Sequence, residues 1–207
     1  MKLQEAHGFY WPEQAISYCK RYVTSVKHLD KSMAKCAEFN VAVQAGGHCG
    51  TWPKYLAQYF DHVYTFEPFH QNFIALNRNV EEENVYRFQA ALGDIPWTAR
   101  LVPHPGNIGG NHVTEREDKG VLVPQLTIDD LGLQACDLLV LDVEGSELKA
   151  LLGARATLKE FKPVLHLEVK GRIEKYDRGT TEHLNHLLSQ YGYERVAEVG
   201  HDSIYVA

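Results

Sequence analysis

Three stretches of this 207-residue chain carry residue types whose spacing could do chemistry. The first is Gln44-Ala45-Gly46-Gly47-His48-Cys49-Gly50. Closely spaced glycines let a backbone approach a ligand, and a helix start just beyond them offers free N–H groups to an anion. Gly47 and Gly50 keep G-x-x-G spacing, but a nicotinamide fingerprint wants another glycine where Ala45 stands. A tight structural turn would use the same glycines. The second stretch is Glu67-Pro68, where a carboxylate at a strand end can accept hydrogen bonds from both hydroxyls of a ribose. The third, Asp142-Val143-Glu144-Gly145-Ser146-Glu147, gathers three acids, of which Glu144 also suits a helix start. Asp142 could meet a cationic cofactor or a metal. Among eleven histidines, His112 and His166 stand out as candidate bases, and His104 could offer a polar contact. The same acids and histidines could ligate a divalent ion, but no tight metal motif is present. Cys49 reads as a small buried residue, since no base lies beside it in sequence.

These residues need strands and helices to bring them together. Asn40–Gln44, His62–Phe66, Val85–Ala90, Leu138–Val143 and Val164–Val169 read as strands, with helices expected over Pro53–Phe60, Gln71–Val80 and Glu147–Phe161, the last broken at Gly153. The end reads as a helix from Glu182 to Tyr191, then strands Tyr193–Val199 and Ser203–Val206 about a short turn. Alternating strands and helices require a mainly parallel sheet covered on both faces. The closing hairpin must add an antiparallel edge, because so short a turn cannot cross over. In such a sheet Gln44, Glu67 and Asp142 all end at the carboxyl edge, where ligands bind. Residues 1–39 read as an N-terminal extension, helical from Pro12 to Lys35, and Phe9-Tyr10-Trp11 and Trp52 could cover a ligand or pack on the core. Residues 98–124, broken by glycines and prolines around short strands at Ala99–Val102 and Val121–Val123, read as a lid or substrate loop.

Composition narrows the partners. With 44% hydrophobic and 23% charged residues the chain is globular, and it reads as a single domain. A net charge of −6 argues against a nucleic-acid groove, which needs clustered Lys and Arg. Leu138-Leu139-Val140-Leu141 is too short to span a membrane, and the first residues lack the apolar core of a secretory signal. Four scattered cysteines suit free thiols in a reducing, cytoplasmic compartment. The expected partner is a small molecule. No oligomeric state follows from these features.

The order Val-Gln-Ala-Gly-Gly-His-Cys-Gly, Val-Tyr-Thr-Phe-Glu-Pro, Ala-Ala-Leu-Gly-Asp and Leu-Asp-Val-Glu-Gly-Ser-Glu, over roughly residues 40 to 170, resembles the FkbM-type branch of class I S-adenosylmethionine-dependent methyltransferases. The resemblance implies a Rossmann-like seven-stranded sheet with a reversed last strand, and methyl transfer, most often to a hydroxyl. It implies that Gln44, Ala45, Gly46, Gly47 and Gly50 form the loop around the methionine part of the cofactor. It further implies that Glu67 and Pro68 lie at the ribose and Ala91 and Leu92 at the adenine, and that Asp142 faces the reaction centre. Asp142, Glu144 and His112 are then the candidate catalytic groups. Family members usually carry an acid where Gln44 stands, so an amide oxygen would replace charge pairing with the cofactor's ammonium. An inactive methyltransferase-fold binding protein and a nicotinamide-dependent oxidoreductase are the other readings.

Overall fold

The short apolar runs become strands stacked edge to edge, because the central ones are buried on both faces and none can satisfy its backbone alone. The computed structural model describes residues 1–114, 119–169, 173–176 and 179–207. Part of the 98–124 segment (115–118) and Lys170, where the resemblance ends, lie outside them. In chain order the main sheet is built from β3 (Val41–Ala45), β4 (His62–Phe66), β5 (Val85–Phe88), β10 (Leu138–Leu141), β11 (Val164–Glu168), β12 (Glu194–Val199) and β13 (Asp202–Val206). Their spatial order is β12-β13-β11-β10-β3-β4-β5. All pairings are parallel except those of β13, which runs antiparallel to both β11 and β12. The reversed strand is therefore next to the edge, and β12 forms the edge itself.

Strand alternation assigns the two cores. Val41, Val43, Leu139, Leu141, Leu165 and Leu167 face the helices α5 (Glu147–Leu152), α6 (Arg155–Phe161) and α8 (Thr181–Gln190). Ala42, Val63, Leu138, Val140 and Ile204 face α2 (Leu29–Met33), α3 (Thr51–Leu56) and α4 (His70–Asn79). Burying one such leucine contributes about 1.5–3 kcal/mol, so the two layers hold the strand ends rigidly in register. Among the described residues no helix is long and apolar enough to cross a membrane.

Two regions differ from expectation. The N-terminal segment begins with a hairpin, β1 (Leu3–Ala6) and β2 (Phe9–Pro12), closed at His7-Gly8 with φ of 53° and 78°, the positive values of a primed two-residue turn. The single helix expected from Pro12 to Lys35 is instead a 3-10 helix (Glu13–Tyr18), α1 (Cys19–Ser25), a second 3-10 turn (Val26–His28) and α2. Thr24 and Ser25 hydroxyls donate to carbonyls three or four residues back, which competes with the helix ladder where it breaks. The 98–124 region is more ordered than expected. β6 (Ala91–Leu92), β7 (Trp97–Val102), β8 (His112–Val113) and β9 (Val121–Leu126) form a second sheet in the order β6-β9-β7-β8.

Candidate functional site

The strand order reverses between β3 and β10, and a cavity of about 440 Å³ opens beyond the carboxyl ends of these two strands. The glycine turn forms one wall. Gly46 and Gly47 N–H groups both donate to the Phe66 carbonyl, tying the turn to the end of β4. Gly46 has φ of +87°, and a Cβ there would overlap the Asp142 carbonyl oxygen; at Gly47 a Cβ would lie 2.7 Å from Leu76. These glycines are thus required by strand and helix packing. Gly46→Ala should cost about 3 kcal/mol, roughly 6–12 °C in Tm for a chain of this size, read by thermal unfolding.

Glu67 follows β4 into the cavity wall and is buried. Its Oε1 accepts the Phe69 N–H at 2.7 Å and its Oε2 the His48 N–H at 2.8 Å. Burial pushes the carboxyl up to about 7, against the pull of those two N–H bonds. Each oxygen keeps acceptor capacity for a ligand hydroxyl. Beside it Asn72, which is 1% exposed, donates to the Ile108 carbonyl at 3.0 Å, while its Oδ1 has no protein partner. Both His48 ring nitrogens are also buried without protein partners, and burial lowers that imidazole to about 4, so it is neutral at pH 7. Pro68, Ala91 and Leu92 complete this end. Orphaned polar atoms next to a carboxylate are what an adenosine-type cofactor would satisfy, and the residues fit one.

The other end is acidic. Asp142 follows β10 and is held by its N–H bond to the Ala45 carbonyl at 3.1 Å. Glu144 has φ of +55°, and Glu168 ends β11. One carboxylate oxygen from each of Asp142, Glu144 and Glu168 lies within 4.8 Å of the others, a donor set that could also take a hard divalent cation. The loop that presents them is stapled by Glu147, whose Oε1 accepts N–H bonds from Gly145 at 3.1 Å and Val143 at 3.3 Å. Glu147 is therefore structural, and burial raises its carboxyl to about 7.

The sign of that shift is testable. A carboxyl raised in the folded state binds more protons folded than unfolded between about pH 4.5 and 7. Its contribution to stability is therefore full at the acid end and lost as pH rises through that window. His48, lowered to about 4, works in the opposite sense. Glu147→Gln keeps the acceptor oxygen and removes the titration. Relative to wild type, its Tm should rise steadily from pH 4.5 to 7 and hold constant above, measured by calorimetry.

The structure brings Ala45, Gly46, Gly47, Glu67, Pro68, Ala91, Leu92, Asp142 and Glu144 to one cavity. Three expected residues lie elsewhere. Gln44 is fully buried outside the cavity lining, its amide oxygen accepting the Thr65 hydroxyl at 2.6 Å across the β3–β4 pair. Gly50 starts α3 with φ of +91° and backs onto Val80. His112 stacks on Tyr176 with ring centroids 3.6 Å apart, outside the cavity lining. Sequence reasoning missed Glu168, although an acid at the end of the strand paired with β10 is the same signal that marks Glu67 and Asp142. Tyr22 and His28, which also line the cavity, carry no sequence signal. Tyr22 packs tilted against His48 with ring centroids 4.3 Å apart, abuts Gly109 and is pushed up to about 12 by burial, with Asp142 adding to the rise.

A sheet of this order with one reversed strand, and a cavity at its switch point lined by a glycine turn and strand-end acids, defines the class I S-adenosylmethionine-dependent methyltransferase fold. Residues 44–195 match the methyltransferase FkbM domain, and the chain belongs to that family, whose cofactor is S-adenosylmethionine. Among solved structures, the chain resembles methyltransferase FkbM from Methylobacillus flagellatus KT, with 20% identity and a TM-score of 0.56 over 81% of this chain. It spans only 43% of that protein's length. It also resembles a precorrin 8w decarboxylase from Methanobacterium thermoautotrophicum (14% identity, TM-score 0.52, 88% of this chain and 89% of that one). A Leishmania major S-adenosylmethionine-dependent methyltransferase is similar at 14% identity and TM-score 0.52, over 91% of this chain and 73% of that one. Comparison with curated proteins gives no match.

Proposed function

We propose that the chain O-methylates a small hydroxylated acceptor such as a sugar or a natural-product alcohol. The observation that carries this reading is the convergence of Asp142, Glu144 and Glu168 on the cavity that also holds Glu67. Glu67 and Asn72 would hold the cofactor's ribose end. The cofactor supplies an electrophilic methyl on a cationic sulfur. The acid end favours that positive charge, and its oxygens accept hydrogen bonds from the acceptor's neighbouring hydroxyls, aligning the attacking oxygen for in-line displacement. Asn107, Ile108, Gly109 and Asn111 of the 98–124 segment line the cavity, and Ile108 is buried against α4 and the N-terminal segment. We read them as a cover that shapes the acceptor pocket. The net charge of −6 speaks against a phosphate backbone as partner, and four unpaired cysteines suit a cytoplasmic setting.

Incubation with S-adenosylmethionine and a panel of monosaccharides and alicyclic alcohols should yield S-adenosylhomocysteine, followed by mass spectrometry. Cofactor binding with a silent panel would favour an inactive binding protein. Tight, salt-sensitive binding of RNA or DNA would count against the small acceptor. Asn111→Ala should reduce acceptor turnover while cofactor affinity stays within about threefold, since it removes a cavity-lining side chain that accepts the His104 N–H at 2.8 Å within the cover and leaves the Ile108 anchor and Glu67 in place.

A further inference from the structure

A chain of four polar side chains runs from the core to the cavity wall. Ser32 and His166 are buried, at 0% and 1% exposure, and Ser32 Oγ lies 2.9 Å from His166 Nδ1. His166 Nε2 lies 3.2 Å from Asp202 Oδ2, and the same oxygen lies 3.5 Å from His28 Nδ1. Trp52 packs edge-on against His166 at 5.6 Å. His28 and Ser32 stand one helical turn apart in the N-terminal segment, while His166 and Asp202 come from the paired strands β11 and β13. Asp202 and His28 both line the cavity, and the His28 side chain is 40% exposed.

The protons follow from the partners. The Ser32 hydroxyl donates to the Leu29 carbonyl at 3.0 Å and packs against His166 Nδ1, and the His166 tautomer with its proton on Nε2 turns that N–H toward Asp202. His28 Nδ1 faces the same carboxylate oxygen at 3.5 Å, and the tautomer that points its N–H there leaves the His28 lone pair on Nε2. Burial alone would raise the Asp202 carboxyl, but hydrogen bonds and charge from the two histidines outweigh it and hold the carboxyl below its ordinary value. Asp202 thus stays ionised and orients His28.

We infer that His28 is the base that takes the acceptor's hydroxyl proton, with Asp202 as its positioning residue and the His166–Ser32 pair fixing Asp202. This rests on the hydroxyl methylation proposed above. As the C–O bond forms and the C–S bond breaks, the hydroxyl proton passes to His28 Nε2 and leaves to solvent from the exposed ring. An imidazole matches this task at neutral pH better than a carboxylate, because its ordinary pKa of about 6.5 is nearer the working pH. The charged and titratable groups that line the cavity with His28 include Asp202 and His201 from the closing hairpin, Arg21 from its own segment, Glu168 paired with Asp202 across β11 and β13, and Asp142 and Glu144, with His166 behind Asp202; Lys31 turns to the Glu198 carbonyl and Lys27 to Asp30.

Nitrogen-15 NMR of the protein with S-adenosylhomocysteine should find neutral His28 protonated on Nδ1, and Asp202→Asn should disturb that tautomer. With an alcohol from the panel, His28→Gln should lower kcat at least about 100-fold while S-adenosylhomocysteine affinity is unchanged. The acid limb of the wild-type pH profile should follow the NMR titration of His28 and vanish in that variant. His28→Gln turnover within about threefold of wild type, or a neutral His28 protonated on Nε2, overturns the assignment alone. A panel silent for wild type that still binds S-adenosylhomocysteine overturns hydroxyl methylation, and this assignment with it.

Discussion

Glu67→Ala should weaken S-adenosylhomocysteine binding by about 1.5–3 kcal/mol, ten- to over a hundredfold, the range for hydrogen bonds to a charged group. Calorimetric titration reads the loss directly. The same substitution strips the acceptor from the Phe69 and His48 N–H groups, so Tm should fall as well. Glu67→Gln separates the two effects. It keeps one acceptor oxygen and most of the shape, so its Tm loss should be smaller while affinity stays impaired. Wild-type affinity in both variants would remove the carboxylate from the ribose site. Because burial raises Glu67 to about 7, cofactor affinity should also climb with pH through that value as the stronger, ionised acceptor forms.

Asp142→Asn should lower turnover roughly a hundredfold, the scale seen when one preorganised electrostatic group is removed. Tm should stay within about 2 °C of wild type. The backbone N–H that fixes residue 142 to Ala45 is untouched, and Asn fills the same space at this partly exposed position. The loop beyond keeps its Glu147 staple. Undiminished turnover would make Asp142 a structural residue. Equal losses of turnover and stability would point the same way.

Much of this protein is determined by local pattern. Leu138–Leu141, Val41–Ala45 and Val164–Glu168 are apolar runs too short for helices and bounded by turns, so strands were their only economical state, and parallel strands place their terminal acids on one edge. Glu67 and Asp142 could be found that way because a strand end is a local property that carries its own spatial address. Gln44 shows the limit of that address. Position in a motif says where its backbone sits, but pairing of β3 with β4 decided that Thr65 takes its amide oxygen. His112 sits on β8 in the second sheet, and only the packing of that sheet turned its ring onto Tyr176. The N-terminal segment was least legible: its hydroxyl-rich break and its hairpin depend on close competition between weak local preferences. What only the tertiary structure decided is the roof and far wall of the cavity. Tyr22, His28 and Asp202 are separated by up to 180 positions in the sequence, and they meet because α1, the turn after it and the closing hairpin pack over the same sheet edge. No periodicity records such a meeting, since hydrophobic burial on one face of each element sets its position while the polar residues on the other face are carried along.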